Sequence, residues 1–195
     1  GNLPTLLLTP NFGLMEVGFY GMTLTLSFRP INIVCSSLYQ VLYQKVTDRV
    51  NENKSVLSLL GKFLLRIGSV TLLLFAVLYV LMPYIVSFLL GNEWIVVSDY
   101  IRIFLPWLFF VVLNTSLSFL PDVFCKQSIY LLFEIVYILL RLSALLIGVR
   151  ANSMHSALLL FSMIGASVLL AELCWFIYMV VRYEKQREQV GDTSK

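Results

Sequence analysis

Five long apolar stretches constrain the fold of this chain more than any other feature. They cover residues 16–42, 64–90, 97–121, 127–149 and 155–181. A helix that crosses a bilayer needs about 20 mainly apolar residues, and each stretch is long enough. Lipid offers no partners to backbone N–H and C=O groups, and the runs lack the alternation of barrel strands. We therefore predict an all-α, polytopic membrane helix bundle with about five transmembrane helices.

The composition argues against a soluble enzyme. Hydrophobic residues make up 59% of the chain and charged residues 13%, whereas soluble domains have about 25% charged residues. The net charge of +3 is too small to indicate nucleic-acid binding. There is no Walker A motif, no catalytic constellation and no cofactor signature. The three cysteines are interpreted as buried thiols, because their spacing suggests no metal or disulfide framework.

Basic residues predict the orientation of the bundle. One set of loops and the C-terminal tail contain Lys45, Arg49, Lys54, Lys62, Arg66, Lys126, Arg182, Lys185, Arg187 and Lys195, and the opposite side has only Arg102 and Arg150. Cytoplasmic loops carry the excess of Lys and Arg. The loop at 42–63, the turn at 122–126 and the C-terminus are therefore expected to be cytoplasmic.

Three regions are expected along the chain. Residues 1–10 are interpreted as the remnant of a preceding transmembrane helix, 11–182 as the bundle, and 183–195 as a cytoplasmic tail with a frayed helix end and a disordered tip. Residues 55–66 have apolar side chains at helical spacing. They predict either a helix lying at the cytoplasmic interface or an extension of the second span.

Four acidic or basic side chains lie well inside the predicted spans, away from their ends: Arg29, Glu134, Arg141 and Glu172. Charges inside a membrane are expensive and usually functional. Glu134 and Arg141 share one helix face, about 10 Å apart along the axis. They predict a polar cavity that takes an anionic head group. The alternative is that each pairs with another helix or extends to an interface.

Two prolines of the spans are singled out, Pro30 beside Arg29 in the first and Pro106 in the third. Each is predicted to kink its helix, because proline removes a backbone hydrogen bond. The polar residues around Pro30 suit a water-lined path, or ordinary helix packing through small residues. Most tyrosine and tryptophan residues, Tyr20 and Tyr130 among them, are interpreted as an aromatic belt at the span ends.

Several short motifs resemble one membrane-protein family. Residues 11–20 (NFGLMEVGFY) are similar to the "FG…EVGxY" signature of polysaccharide flippases. Residues 37–42 (SLYQVL) are similar to their "SxxQV" helix end, and residues 90–94 (LGNEW) to their "FGxxW" loop. Pro30 and Pro106 follow at familiar positions. The chain is identified as the C-terminal lobe of an O-antigen or capsule flippase of the multidrug/oligosaccharidyl-lipid/polysaccharide exporter superfamily.

The resemblance implies a transporter of two lobes around a central cavity in the bacterial inner membrane. It implies transfer of an undecaprenyl-pyrophosphate-linked oligosaccharide to the outer leaflet by alternating access, for surface polysaccharide biosynthesis. Arg29 and Arg141 are the candidate pyrophosphate contacts, because Arg binds phosphate oxygens in bidentate fashion. Glu134 and Glu172 are candidates for charge balance or ion coupling. The expected partners are the lipid-linked oligosaccharide, membrane lipids, an N-terminal lobe missing from this sequence, and a polymerase or glycosyltransferases.

Two alternatives stay open. A drug or metabolite exporter of the same superfamily would be expected to line its cavity with acidic residues and without arginines. A non-transporting membrane scaffold of a polysaccharide assembly complex would co-purify with glycosyltransferases or a polymerase.

Overall fold

The chain is a bundle of helices. The computed structural model describes residues 3–150 and 153–192, and within them no strand occurs. The helices are α1 (Leu3–Asn51), α2 (Val56–Leu90), α3 (Ile95–Leu117), the short α4 (Leu120–Val123), α5 (Gln127–Arg150) and α6 (Met154–Asp192). A single 3₁₀ turn, Asn92–Trp94, joins α2 to α3. The predicted all-α bundle is confirmed.

Four segments of the described chain are long and apolar enough to cross a membrane: Val56–Leu90, Asn92–Val123, Gln127–Arg150 and Met154–Arg187. Helix α1 is not among them, although it has 49 residues. Polar side chains such as Arg29 and Asn32 interrupt its apolar sequence and lower its mean hydropathy. The chain is therefore a membrane protein with four candidate spans in its described part, and a fifth span at 16–42 stays a prediction.

Helix α1 changes direction at a glycine. Gly13 has φ 81° and ψ 168°, a conformation that side-chain-bearing residues rarely adopt. The predicted remnant at 1–10 falls within the part of α1 that precedes this break, apart from residues 1 and 2, which lie outside the described chain. Pro30 and Pro106 lie inside α1 and α3, and both helices continue through them. A kink at either proline stays a prediction.

Helix α2 begins at Val56 and is continuous to Leu90, so residues 56–66 belong to the same helix as the second predicted span. Ser55 caps it, accepting a hydrogen bond from the Ser58 N–H at 3.2 Å. The continuity favours the extended second span over a separate surface helix.

Helix α3 is the centre of the bundle. It packs against α1, α2 and α6, and α6 also packs along α5. Helices α5 and α6 approach each other closely at Gly148 of α5, where an added Cβ would lie 2.2 Å from the Ala157 Cα of α6. The outward faces of α2 and α5 carry exposed leucine, isoleucine and valine side chains. These faces suit contact with lipid, while α3 supplies the core.

The interpretation of all three cysteines as buried thiols is wrong. Cys35 is buried, but Cys125 and Cys174 are exposed, because Cys125 lies in the α4–α5 turn and Cys174 on an outward face of α6. The predicted tail is helical as far as Asp192, where α6 ends, and fraying of this helix end stays a prediction. The Glu184 carboxylate lies at the start of α2 and contacts its first backbone N–H groups. Residues 193–195, the rest of the predicted tip, lie outside the described chain.

Candidate functional site

A cavity of about 580 Å³ lies between α1, α3, α5 and α6. Its volume is in the range of about 300–1,000 Å³ that is common for small-molecule sites. The four ionisable residues that the sequence singled out, Arg29, Glu134, Arg141 and Glu172, all lie on its lining. The structure therefore brings the predicted site residues together, with α1, α5 and α6 each contributing at least one.

Helix α5 presents a polar stripe to the cavity. Tyr130, Glu134, Tyr137 and Arg141 lie at intervals of four, three and four residues and all line it. This spacing keeps the side chains on one helix face. The opposite face of α5 carries exposed apolar residues such as Leu132. Helix α5 thus separates lipid from a polar interior.

Aromatic rings surround the Arg141 guanidinium. Its Cζ lies 3.7 Å from the ring centroid of Phe161, 3.9 Å from Trp107 and 4.8 Å from Tyr137. Cation–π contacts contribute about 2 kcal/mol when they are shielded from water. No Asp or Glu oxygen of the described chain lies within ion-pair distance of Arg141. The rings therefore stabilise the cation without neutralising it.

The Tyr137 hydroxyl fixes this arrangement. It accepts a hydrogen bond from Arg141 Nη1 at 2.6 Å and a second from Trp107 Nε1 at 2.9 Å. The Arg141 Nε is buried and has no hydrogen-bond partner. Gly165 of α6 makes room for the group, since a Cβ there would lie 3.0 Å from Trp107 and 3.3 Å from Arg141 Nε. Arg141 Nη1 therefore has an acceptor in the Tyr137 hydroxyl, whereas Arg141 Nε has no acceptor in the protein.

Helix α1 contributes the second cation. Arg29 lines the cavity, and Thr25 and Asn32 lie on the same face. Arg29 is exposed and, in the described chain, has no carboxylate within ion-pair distance. Both arginines thus bring to the cavity a positive charge that no ion pair of the described chain neutralises.

Acidic and amide oxygens line another part of the cavity. Glu172 is only 3% exposed, and it is close enough to Glu134 for the two carboxyl groups to interact electrostatically. Asn114 donates its Nδ2 to the carbonyls of Phe110 and Leu169, at 2.9 and 3.1 Å, while its buried Oδ1 has no partner. This part of the cavity is rich in oxygen acceptors. No cluster of three or more His, Cys, Asp or Glu residues suited to a metal occurs in the described residues.

Sequence reasoning missed several cavity residues. Tyr20 and Tyr130 line the cavity, although they were interpreted as part of an interfacial belt. Tyr137, Trp107 and Asn114 were not singled out for the site. The four-three-four spacing from Tyr130 to Arg141 is a signal that would have found Tyr137. Trp107 and Asn114 belong to α3, whose packing against α5 and α6 no local pattern reveals.

A comparison with protein families identifies the chain's relatives. The model of a family described as "Polysaccharide biosynthesis protein" matches residues 1–99, which is half of the 195-residue chain. The match includes the motifs at 11–20, 37–42 and 90–94 and the α1 side of the cavity. No curated protein and no solved structure matches the chain. The chain therefore belongs to the polysaccharide biosynthesis protein family, a flippase-like family of membrane proteins.

Proposed function

We propose that the cavity binds the pyrophosphate of an undecaprenyl-linked oligosaccharide. The complete transporter, with a second lobe, then moves this lipid from the cytoplasmic to the outer leaflet of a bacterial inner membrane by alternating access. The C-terminus is cytoplasmic in this arrangement. The observation that carries the proposal is the presence of two arginines, Arg29 and Arg141, on one intramembrane cavity without carboxylate partners in the described chain.

The chemistry of the ligand supports this choice. A pyrophosphate inside a membrane must exchange its water for other donors, and guanidinium groups donate along two parallel directions to phosphate oxygens. Arg141 has a buried Nε without an acceptor, and the aromatic rings around it keep carboxylates away. Asn32 and Thr115 offer donors and acceptors for the first sugar. The cavity has room for a pyrophosphate, and the oligosaccharide itself extends beyond it.

The test is substitution of each arginine in the complete protein, in cells that need it to make surface polysaccharide. Arg29→Ala and Arg141→Ala are expected to lower surface polymer at least tenfold while membrane insertion is unchanged. Arg29→Lys and Arg141→Lys retain charge but not the bidentate geometry, so an intermediate loss is expected. Arg66→Ala, on α2 and outside the cavity, is the control. Normal polymer in both alanine variants refutes the cavity assignment.

We also infer that Glu134 and Glu172 carry the coupling ion. Glu172 is buried, it is near a second carboxyl group, and the unpartnered Asn114 Oδ1 shares the cavity. In proteoliposomes that contain the complete transporter, an imposed proton or sodium gradient is expected to drive lipid transfer. Glu172→Gln should abolish the response to the gradient, whereas Glu93→Gln, in the exposed 3₁₀ turn, should not. Equal gradient dependence in wild type and Glu172→Gln refutes the coupling role.

The same variants separate the two alternatives. A drug or metabolite exporter would show altered drug sensitivity with normal polymer. A scaffold of a polymerase or glycosyltransferase complex would keep polymer synthesis in the arginine variants, because its role needs no cavity. Loss of polymer together with cytoplasmic accumulation of lipid-linked oligosaccharide supports the flippase alone.

A further inference from the structure

A second groove, of about 470 Å³, lies where the α4–α5 turn meets the last part of α6. Two cations, Lys126 and Arg182, line it together with apolar and aromatic side chains, among them Ile129, Trp175 and Met179. It has no lining residue in common with the cavity described above. It is therefore a separate feature of the bundle.

The groove lies at a membrane surface. One candidate membrane segment ends at Val123 and the next begins at Gln127, so the turn that carries Lys126 joins two spans. Helix α6 is alongside the start of α5, because the rings of Tyr130 and Phe176 are 6.1 Å apart between centroids. Trp175 is next to Phe176 and lines the groove. Tryptophan in this position is typical of the level of the lipid head groups.

The charge of the groove is positive. Lys126 and Arg182 are exposed, and neither forms an ion pair in the described part of the chain. The described lining includes no Asp or Glu. Asp122 is exposed in α4 but is not on the lining, and the Glu184 carboxylate is bonded to the start of α2. Neither Asp122 nor Glu184 therefore occupies the two cations, which are available to a ligand in the described part of the chain.

The walls of the groove are held in place by specific contacts. The rings of Phe124 and Tyr183 are 4.8 Å apart between centroids, which ties the turn to α6. Cys125 has φ 52°, and the Lys126 N–H donates to the Pro121 carbonyl at 2.7 Å. The turn that presents Lys126 is thus a defined structure.

We propose that this groove binds an anionic phospholipid. The phosphate lies between Lys126 and Arg182, and an acyl chain leaves along Ile129, Met179 and Trp175 towards the membrane. Basic pockets between transmembrane helices bind anionic lipid head groups in this way. Phosphatidylcholine carries its own cation and has no net charge to offer the groove. The proposal is independent of the function of the cavity.

Trp175 provides the measurement. The full chain is placed in phosphatidylcholine vesicles, and brominated phosphatidylglycerol or brominated phosphatidylcholine is added to quench tryptophan fluorescence. The chain has three tryptophans, so a Trp175→Phe variant gives the background of the other two. In the wild type we expect brominated phosphatidylglycerol to quench Trp175 at least fivefold more strongly than brominated phosphatidylcholine does, and we call this ratio the preference. Lys126→Gln/Arg182→Gln should reduce the preference to about one.

Two further variants and one competitor make the test decisive. Lys126→Arg/Arg182→Lys exchanges the cations and should keep the preference. Lys62→Gln/Lys185→Gln removes two cations outside the groove and should also keep it. Millimolar inorganic phosphate, compared with chloride at equal ionic strength, should not displace the lipid. A wild-type preference near one, an unchanged preference in Lys126→Gln/Arg182→Gln, or displacement by phosphate would overturn the proposal.

Discussion

The carboxylate of Glu184, on α6, accepts a hydrogen bond from the backbone N–H of Val56, the first residue of α2, at 2.5 Å. The same Oε1 accepts from Leu57 N–H at 2.9 Å, and the Ser55 hydroxyl donates to Oε2 at 3.3 Å. The first N–H groups of a helix have no partner within it, and negative charge near that end is favourable. A residue of the tail thus supplies the cap that α2 needs.

Removal of this cap should destabilise the bundle. Glu184→Ala leaves two backbone N–H groups without their charged acceptor, so we expect the free energy of unfolding to fall by about 2 kcal/mol. Denaturant unfolding in detergent micelles measures the change, and faster tryptic cleavage at Lys54 should accompany it. Glu93→Gln in the 3₁₀ turn is the control. An unchanged unfolding midpoint for Glu184→Ala would show that water caps α2 equally well.

Tyr137→Phe should loosen the cation at the cavity. The substitution removes the oxygen that accepts from both Trp107 and Arg141, and a buried donor left unpaired costs about 1–3 kcal/mol. We expect lower thermal stability of the chain and, from the proposed function, reduced surface polymer in cells that depend on the protein. Tyr84→Phe is the control, because Tyr84 is 72% exposed. The prediction is wrong if both tyrosine variants unfold at the same temperature as wild type.

Gly148→Ala should disrupt the α5–α6 contact. Its Cβ would lie 2.2 Å from the Ala157 Cα, so the helices must separate, and overpacking of this kind costs about 1–3 kcal/mol. Gly61→Ala is the matched control, since a Cβ there has no atom within 4 Å. Alanine at an open helical position is about 0.5–1 kcal/mol better than glycine. The two substitutions should therefore shift the melting temperature in opposite directions, and equal shifts would contradict the packing.

Gly13→Ala tests the break in α1. The backbone there has a positive φ that alanine adopts only with a penalty of about 1–3 kcal/mol. Gly18→Ala, a few residues further along the helix in open space, should have no such penalty. Thermal unfolding of the two variants measures the difference. If Gly13→Ala is as stable as Gly18→Ala, α1 can pass through this position as a regular helix.

The sequence predicts the bundle well because long apolar runs have few other structures available in lipid. Arg29, Glu134, Arg141 and Glu172 could be singled out because a charge is conspicuous in such a run. Their common cavity depends on how α1, α5 and α6 pack, which the sequence does not display. The Glu184 cap joins residues 128 positions apart, and no local periodicity indicates it. Nothing in the sequence around Asn114 distinguishes it as a site residue. It lines the cavity only because α3 packs against α5 and α6.

The contact between Gly148 and Ala157 also defines how the cavity can change shape. The two backbones are already in contact there. If α5 tilts relative to α6, this contact is therefore the pivot of the motion. Glu134 is fourteen residues away, about 21 Å along the helix. A tilt of about 10° would therefore move Glu134 by about 4 Å, while Gly148 and Ala157 stay in contact. Arg141, at half that distance, would move half as far, so the acidic part of the cavity opens most.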